Sequence, residues 1–366
     1  MPQNRGVGDR LDEYRRKRDA KRTPEPVPAR MSRGKNDTFV IQQHHATRLH
    51  WDLRLERDGV LVSWAVPRGI PRDPATNHLA VHTEDHPMEY ADFHGEIPEG
   101  EYGAGRMTIF DRGTYTTEKW REDEVIIGLH GSRVAGRYVL FRTGGKNWMI
   151  HRMDPAEPGW TPMPDKVRPT LATPSNRLPA GDAKWGFEMA WGGLRAVAYV
   201  SGGQLRLLSD DDDDITGTYP ELRPMAEDLA PTECILDGEI VSFDDSGRVS
   251  PEALERRSGA MDAAAARRLV SRMPVYYLAY DLLWLEGRST LEVPYADRRD
   301  LLTGLEITGA NWQTPPHFVG GGEFARQASI DQGLGGLVAK RLDSPYRPGE
   351  HSKSWLAVAN PHDRKR

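Results

Sequence analysis

Seven prolines fall within residues 155–181, PAEPGWTPMPDKVRPTLATPSNRLPAG, and a regular element hardly survives that density. Proline lacks the backbone N–H that helices and inner strands require, and it drives the residue before it into extended backbone. The stretch therefore reads as an extended linker that cuts the chain into two halves. At 366 residues, each half is long enough to bury a core of its own. An apolar fraction of 38% beside 28% charged residues describes a soluble globular protein. No apolar run reaches the roughly 18 residues a membrane helix needs, so no membrane partner is expected. The N-terminus lacks an apolar signal core, and the single cysteine, Cys234, rules out a disulfide framework within the chain. A cytoplasmic location follows.

On either side of the linker the periodicity differs. Residues 36–154 show short period-2 runs (TFVIQ, GVLVSWAVP, GRMTIFDRG, GRYVLFRT) split by turn residues, which predicts a small all-β barrel or sandwich. Residues 182–360 alternate strands such as CILDGEIVSF and VYYLAYDLLWL with helical stretches such as PELRPMAEDL, PEALERRSGAMDAAAARRLVSR and YADRRDLLTGL, which predicts an α+β domain. The net charge of −5 is unevenly spread: RRKR at 15–18 lies in a basic leader, residues 1–35, and five aspartates run from 210 to 214. A basic leader is the electrostatic footprint of a phosphate-bearing partner, or else a flexible solvated tail.

The chemistry concentrates in HHATRLHWDLRLE, residues 44–56. As a strand it turns His50, Asp52, Arg54 and Glu56 to one side and Trp51, Leu53 and Leu55 to the other. The apolar set is free to bury itself, which leaves the polar set facing a cleft or solvent. His50 and Asp52 can reach one ion, and His44 supplies a third ligand if the chain bends at Ala46. Imidazole and carboxylate without thiolate suit Mn²⁺, Zn²⁺ or Fe²⁺ rather than a structural zinc knot. In HLAVHTEDHPMEY, residues 78–90, His82, Glu84 and His86 share a second period-2 face, and two such faces imply a common polar pocket. His45, which points away from His44, and His82, which suits a core position, are the weaker members.

FVIQQHHATRLHWDLRLERDGVLVSWAVPRG and LAVHTEDHPMEYADFHGEIPEGEYGAG closely resemble the 3′-phosphoesterase domain of bacterial DNA ligase D, over about residues 10–154. The resemblance implies a compact β-barrel that removes a 3′-phosphate or a 3′-terminal ribonucleotide from DNA ends. It implies Mn²⁺ as the preferred cofactor, with Zn²⁺ or Co²⁺ as substitutes, and His44, His50 and Asp52 as its ligands. It implies that Arg54 and His86 hold or protonate the phosphate, with Tyr90 assisting. Gln42, Arg68 and Glu84 match supporting positions, as do Arg18, Asp19 and Glu25 in the leader. His78 departs from the family, where a fully charged side chain is common. DNA 3′ ends are the implied partner, with Ku or other end-joining proteins beside them on the nucleoid.

The second half resembles the nucleotidyltransferase domain of ATP-dependent DNA ligases in FEMAWGGLRAVAYV, LDGEIVSF, YDLLWLEG and GGLVAKRLDSPYRPGEHSKSWLAV. Such ligases attack ATP with the lysine of a KxDG motif. Here the tetrad reads Ala190, Trp191, Gly192, Gly193. Gly335 replaces a metal-binding glutamate, and Ala357 and Ala359 replace two lysines. Glu188, Arg195, Glu239, Asp281 and Lys340 remain. The aspartate run stands where an arginine-bearing turn is usual, and five carboxylates repel a DNA backbone. Lys184 lies too far from position 190 to substitute for the nucleophile. The chain also stops soon after Trp355, so an oligonucleotide-binding domain is not expected. The reading is a metal-dependent 3′-end-processing enzyme joined to an inactive ligase-like module; the alternative is a repair scaffold or regulator that only binds.

Overall fold

Asp58 and Gly59 both adopt positive φ, 54° and 82°, in the two-residue turn between β2 (Leu49–Arg57) and β3 (Val60–Val66). Two such residues define the turn whose twist matches an antiparallel hairpin, and Asp-Gly is a preferred sequence for it. The hairpin sits in a barrel formed with β1 (Thr38–His45), β4 (Asn77–His82), and four strands further on. The short β5 (His86–Pro87) pairs with β3, and β6 (Gly95–Ile97) pairs with β7. The barrel continues through β7 (Gly105–Trp120), β8 (Glu124–Gly131), β9 (Ala135–Gly144) and β10 (Asn147–Arg152). The order β1-β2-β3-β4-β10-β9-β8-β7 closes because β7 returns to β1, so eight antiparallel strands leave no open edge. The structure, a computed structural model, describes residues 10–30, 34–259 and 263–361.

Chain alternation decides the barrel's two faces. Trp64 lies opposite Leu53 and makes edge contacts with Trp148 on β10 and Trp120 on β7, so this set fills the interior. The opposite face of β1 and β2, with Gln42, His44, Asp52 and Arg54, lies outside the barrel wall. It is nevertheless buried. A cover made of α1 (Asp12–Arg16), β6 and a 3-10 turn at Met88–Asp92 packs there, with Tyr14, Tyr90, Ile97 and Met107 as its apolar cluster.

The cover corrects the flexible-leader expectation. Among the described residues of the leader, Leu11 and Tyr14 are fully buried, and Tyr14 donates to the Pro26 carbonyl. Residues 1–9 and 31–33 lie outside the described residues. Much of the basic run is spent internally: Lys17 and Arg18 both bind Glu84. The linker expectation fails likewise. The chain divides into compact units between Pro158 and Gly159, so most of the proline-rich stretch belongs to the second unit. There β11 (Leu171–Ser175) adds as a parallel edge strand to β21 (His351–Ala359), a position that tolerates Pro174 because an edge strand need not donate every N–H. Val167 and Thr170 are buried on the same stretch, and Arg168 grips Asp212 of the aspartate run at 2.8 Å.

The second unit contains two sheets. One has the order β11-β21-β20-β12-β19, with β12 (Trp185–Ala190), β19 (Phe318–Val319) and β20 (Gly336–Arg341). The other runs β14-β13-β15-β16-β17, with β18 (Trp312–Gln313) beside β16. Its strands are β13 (Leu194–Ser201), β14 (Gln204–Ser209), β15 (Cys234–Ser242), β16 (Val275–Leu285) and β17 (Arg288–Ser289). Cys234 is a buried core residue, as its setting predicts. The predicted helices appear as α2 (Pro224–Leu229), α3 (Pro251–Ser258), α4 (Ala263–Val270) and α5 (Tyr295–Gly304); residues 260–262 lie outside the described residues. A sixth helix, α6 (Gly322–Asp331), was not signalled: three glycines open it, and the side chain that caps its start, Asp182, comes from far back along the chain. Among the described residues no helix is long and apolar enough to cross a membrane.

Candidate metal and phosphate site

His44 and His50 are cross-strand partners on β1 and β2, and Asp52 sits beside them opposite Gln42. The His44 Nε2–H donates to the Gly103 carbonyl at 2.9 Å, and the His50 Nδ1–H donates to the Arg48 carbonyl at 2.9 Å. A carbonyl oxygen only accepts, so each ring keeps its other nitrogen as a lone pair. Those two lone-pair nitrogens, His44 Nδ1 and His50 Nε2, face each other at 3.2 Å. Asp52 carboxylate oxygens lie 3.8 Å from the first and 3.7 Å from the second. Together the three residues offer ligand atoms within 4.8 Å of one another. Two acceptors have no reason to converge unless a proton or a cation lies between them. Burial pushes the His44 imidazole below the ordinary histidine value, and of its charged neighbours only Asp52 pulls it back up, which disfavours a proton on His44. The donor set therefore fits a divalent ion, with the backbone carbonyls fixing each ring's tautomer from behind.

Arg54 uses its whole fork to hold the next layer. Its Nε donates to Gln42 Oε1 at 2.7 Å, Nη1 to Ser63 Oγ at 3.0 Å and Nη2 to Asp52 Oδ2 at 2.9 Å. Gln42 in turn donates to the Tyr90 and Phe93 carbonyls, at 3.0 and 2.8 Å, so β1 and the 3-10 turn are stitched together. The Arg54 guanidinium also lies 4.7 Å from the Tyr90 ring centroid. Arg54, Gln42 and Tyr90 are thus brought together.

Glu84 and His86 reach this cluster from the other side. The His86 Nδ1–H donates to the Glu84 carbonyl at 2.8 Å, and Arg18 Nη2 approaches the free Nε2 at 3.4 Å. Burial, with the Arg54 and Arg18 charges, holds His86 far below the ordinary histidine value. His86 is therefore a neutral acceptor here, with no proton on Nε2. Glu84 is bound by Lys17 at 2.9 Å and Arg18 at 3.1 Å. Burial pushes its carboxyl up, but these hydrogen bonds and a backbone one outweigh it and keep the group ionised. Tyr90, whose phenol burial pushes far upward, donates to Glu25 Oε1 at 2.9 Å; Glu25 accepts from Arg18 Nε at 2.9 Å.

Two expectations need correction. His82 does not share a face with Glu84 and His86: β4 ends at His82, and its ring packs on Trp64 and Trp148. Asp19 stays outside the cluster and caps its own turn through Lys21 N. Arg68 is exposed, with no hydrogen bond or ion pair among the described residues. Burial, aided by the Arg68 charge, lowers His78 below the ordinary histidine value, and His78 donates to the Gly69 carbonyl. Sequence reasoning missed Lys17, Ser63 and Gly103. Ser63 carried a signal, since it lies directly opposite Arg54 once the hairpin register is fixed. Gly103 carried none, because its carbonyl comes from a loop far along the chain.

In the second unit the retained charges pair with each other. Lys340 Nζ lies 2.8 Å from Glu188 and 3.7 Å from Asp281. Asp281 is held by both arms of Arg298, at 2.7 and 2.9 Å, and Tyr295 donates to Glu188 at 2.7 Å. Glu239 accepts from Gly193 N and the Tyr280 hydroxyl, each at 2.6 Å, and Arg195 grips Asp237. Gly193 is confined to glycine because a Cβ there would meet the Ile240 carbonyl oxygen at 2.2 Å. Ala190 ends β12, opposite Gly336.

A closed β-barrel carrying an external His–His–Asp cluster, followed by a two-sheet unit with these motifs, defines a phosphoesterase–ligase class of protein. Over residues 169–358 the chain belongs to the ATP dependent DNA ligase domain family, and residues 42–142 match the DNA Ligase D 3′-phosphoesterase domain. It is 44% identical over 362 residues to the multifunctional non-homologous end joining protein LigD of Mycolicibacterium smegmatis, covering 96% of this chain and 45% of that protein. The same-named protein of Mycobacterium bovis is 45% identical over 355 residues, with coverage of 96% and 45%. Among solved structures, mycobacterial DNA ligase D complexed with ATP and MES is 36% identical over 53% of this chain and 60% of that one, with a TM-score of 0.47. The chain thus spans about half the length of the curated relatives it matches.

Proposed function

We propose that the first unit is a metal-dependent DNA 3′-phosphoesterase acting in end joining, and that the second is a ligase-like module without adenylation chemistry. The observation that carries the first part is the pair of facing lone pairs on His44 and His50, with Asp52 alongside. Manganese is the proposed ion, with zinc or cobalt as substitutes. Bound there, it would neutralise phosphoryl charge and lower the pKa of coordinated water. Asp52 and the two imidazoles would hold it, and Arg54 would keep Asp52 aimed. Arg18 and Arg54 would balance phosphoryl charge next to His86. A phosphate monoester, whose second pKa is near 6, carries a proton in its monoanion, the form that predominates below about pH 6. Neutral His86 accepts that proton on Nε2 and returns it to the departing 3′ oxygen. Arg68, exposed and without an ion pair among the described residues, is proposed to meet the DNA backbone.

Support for the second part is Ala190, which has no amine to attack ATP, together with the internally paired charges around Lys340. The test of the enzymatic reading is direct. A primer-template ending in a 3′-phosphate is incubated with Mn²⁺ and its ends are resolved. Conversion to 3′-hydroxyl by the wild-type chain, and none by His50→Ala, is expected. A wild-type chain inert with Mn²⁺, Zn²⁺ and Co²⁺ alike would leave a binding scaffold as the function.

A further inference from the structure

Where the 121–123 and 145–146 turns close one end of the barrel, Trp64, His82, Trp120 and Trp148 wall a cleft of about 410 Å³. That volume lies in the range of small-ligand sites. The rings are mutually braced: Trp64 meets Trp148 and His82 edge-on at 5.7 and 5.4 Å, and His82 stacks on Trp148 with planes 29° apart. The Trp64 Nε1–H is buried and has no hydrogen-bond partner. Charge around the cleft is unbalanced. Arg10 is neutralised by Asp85 at 2.8 Å, and Arg142 faces Glu122 at 3.8 Å. Arg121 and Lys146 line the same cleft with no ion pair among the described residues.

The partly open rings of Trp120 and His82, with two cations that lack an ion pair among the described residues, define the ligand as a flat group with an adjacent anion. We propose that the cleft holds an unpaired base of single-stranded DNA, with its phosphodiester at Arg121 and Lys146. A duplex base keeps its faces stacked and cannot offer them to aromatic walls. The cleft and the phosphate-side group around Glu84 share two stretches of chain. Glu84 turns to Lys17 and Arg18 in the cluster, whereas its neighbour Asp85 turns to Arg10 at the cleft. Adjacent Cα atoms are about 3.8 Å apart, so a strand seated in the cleft lies close behind the cover of the phosphate site. The inference rests on DNA being the substrate, and it assigns the cleft to the unpaired strand beside the end being processed.

The probe is a fluorescein-labelled twelve-residue oligothymidylate with a 3′-hydroxyl, titrated into the full chain without metal and followed by anisotropy and by tryptophan emission. Binding should quench the tryptophans, and Trp120→Ala should weaken it about 10-fold, within the range for losing one base–aromatic stack. Lys146→Glu, on the surface, serves if Trp120→Ala melts early, and it should also flatten the salt dependence. Equal affinity for both variants and wild type, or displacement of the oligonucleotide by an equimolar blunt duplex, would overturn the proposal. Because the probe carries no 3′-phosphate, its binding is independent of whether the chain releases phosphate. Failure of one reading is thus visible without failure of the other.

Discussion

Arg54 shows how a single side chain fixes the site. Its fork matches Gln42, Ser63 and Asp52 at once, and it is almost completely buried. Arg54→Ala should destabilise the barrel by about 3–5 kcal/mol, the cost of leaving a buried charge partner alone, read as a lowered urea midpoint. Arg54→Lys should keep the charge and still fail, because one ammonium cannot replace the planar fork; wild-type kcat/KM in that variant would show that charge alone suffices. His86 carries a separate prediction. With Nδ1 locked on the Glu84 carbonyl and Nε2 unprotonated, it depends on the substrate's own proton. The rate should fall as pH rises past about 6, where the monoester becomes dianionic, and His86→Ala should cost at least about 100-fold in kcat. A flat profile between pH 6 and 8.5 would exclude the proton transfer. The residues of this layer were legible because strand alternation places them on one face. Their depth was not, since the cover comes from distant segments.

At the scale of elements, the cover over β1 and β2 is the main departure from the sequence reading. A run such as RRKR looks like a solvated arm, and nothing local shows that Lys17 and Arg18 are aimed at Glu84. The same is true of the proline-rich stretch: composition marks it as extended, and only the partner strand β21 reveals that it is paired. Deleting residues 1–30 should therefore abolish phosphate release rather than merely reduce DNA affinity, and it should lower the melting temperature by several degrees; a truncated chain of full activity would return the leader to the status of a tail. The barrel's histidines give a pH test of the same packing. Burial, the largest cause in each case, lowers the values of His44, His78, His82 and His86 below 6.5. As pH falls below 6.5 the unfolded chain takes up protons that the folded barrel refuses, so stability present at pH 7 is lost toward pH 5. Melting in chelator should show this slope, shallower in His78→Gln; a melting temperature constant from pH 7.5 to 5 would contradict the buried neutral state.

At the scale of the whole molecule, the two halves contrast in what each retains. The first keeps a His–His–Asp donor set in which two imidazole lone pairs face each other; the second keeps a ligase fold whose remaining charges are paired with one another. Ala190→Lys alone should form no adenylated protein with labelled ATP, because Gly192, Gly335, Ala357 and Ala359 remain, and losing one aligned electrostatic donor costs about 3 kcal/mol of barrier. Label on the introduced lysine would show that only the nucleophile is missing. The fold class of each half was legible from periodicity, and the residues by which the second departs from the ligase motifs were legible from its sequence. The internal pairing of Lys340, Glu188 and Asp281 required the three-dimensional contacts. The central claim, that His44, His50 and Asp52 hold the ion on which 3′-end processing depends, is tested most directly by the rate of 3′-phosphate release against Mn²⁺ concentration in wild type and Asp52→Asn. Saturation by Mn²⁺ is predicted for the wild type, with at least a 100-fold slower rate and weaker half-saturation in Asp52→Asn at an unchanged fold, roughly the scale set by disturbing metal-site ligation. A rate that ignores Mn²⁺, or that survives Asp52→Asn intact, would contradict it.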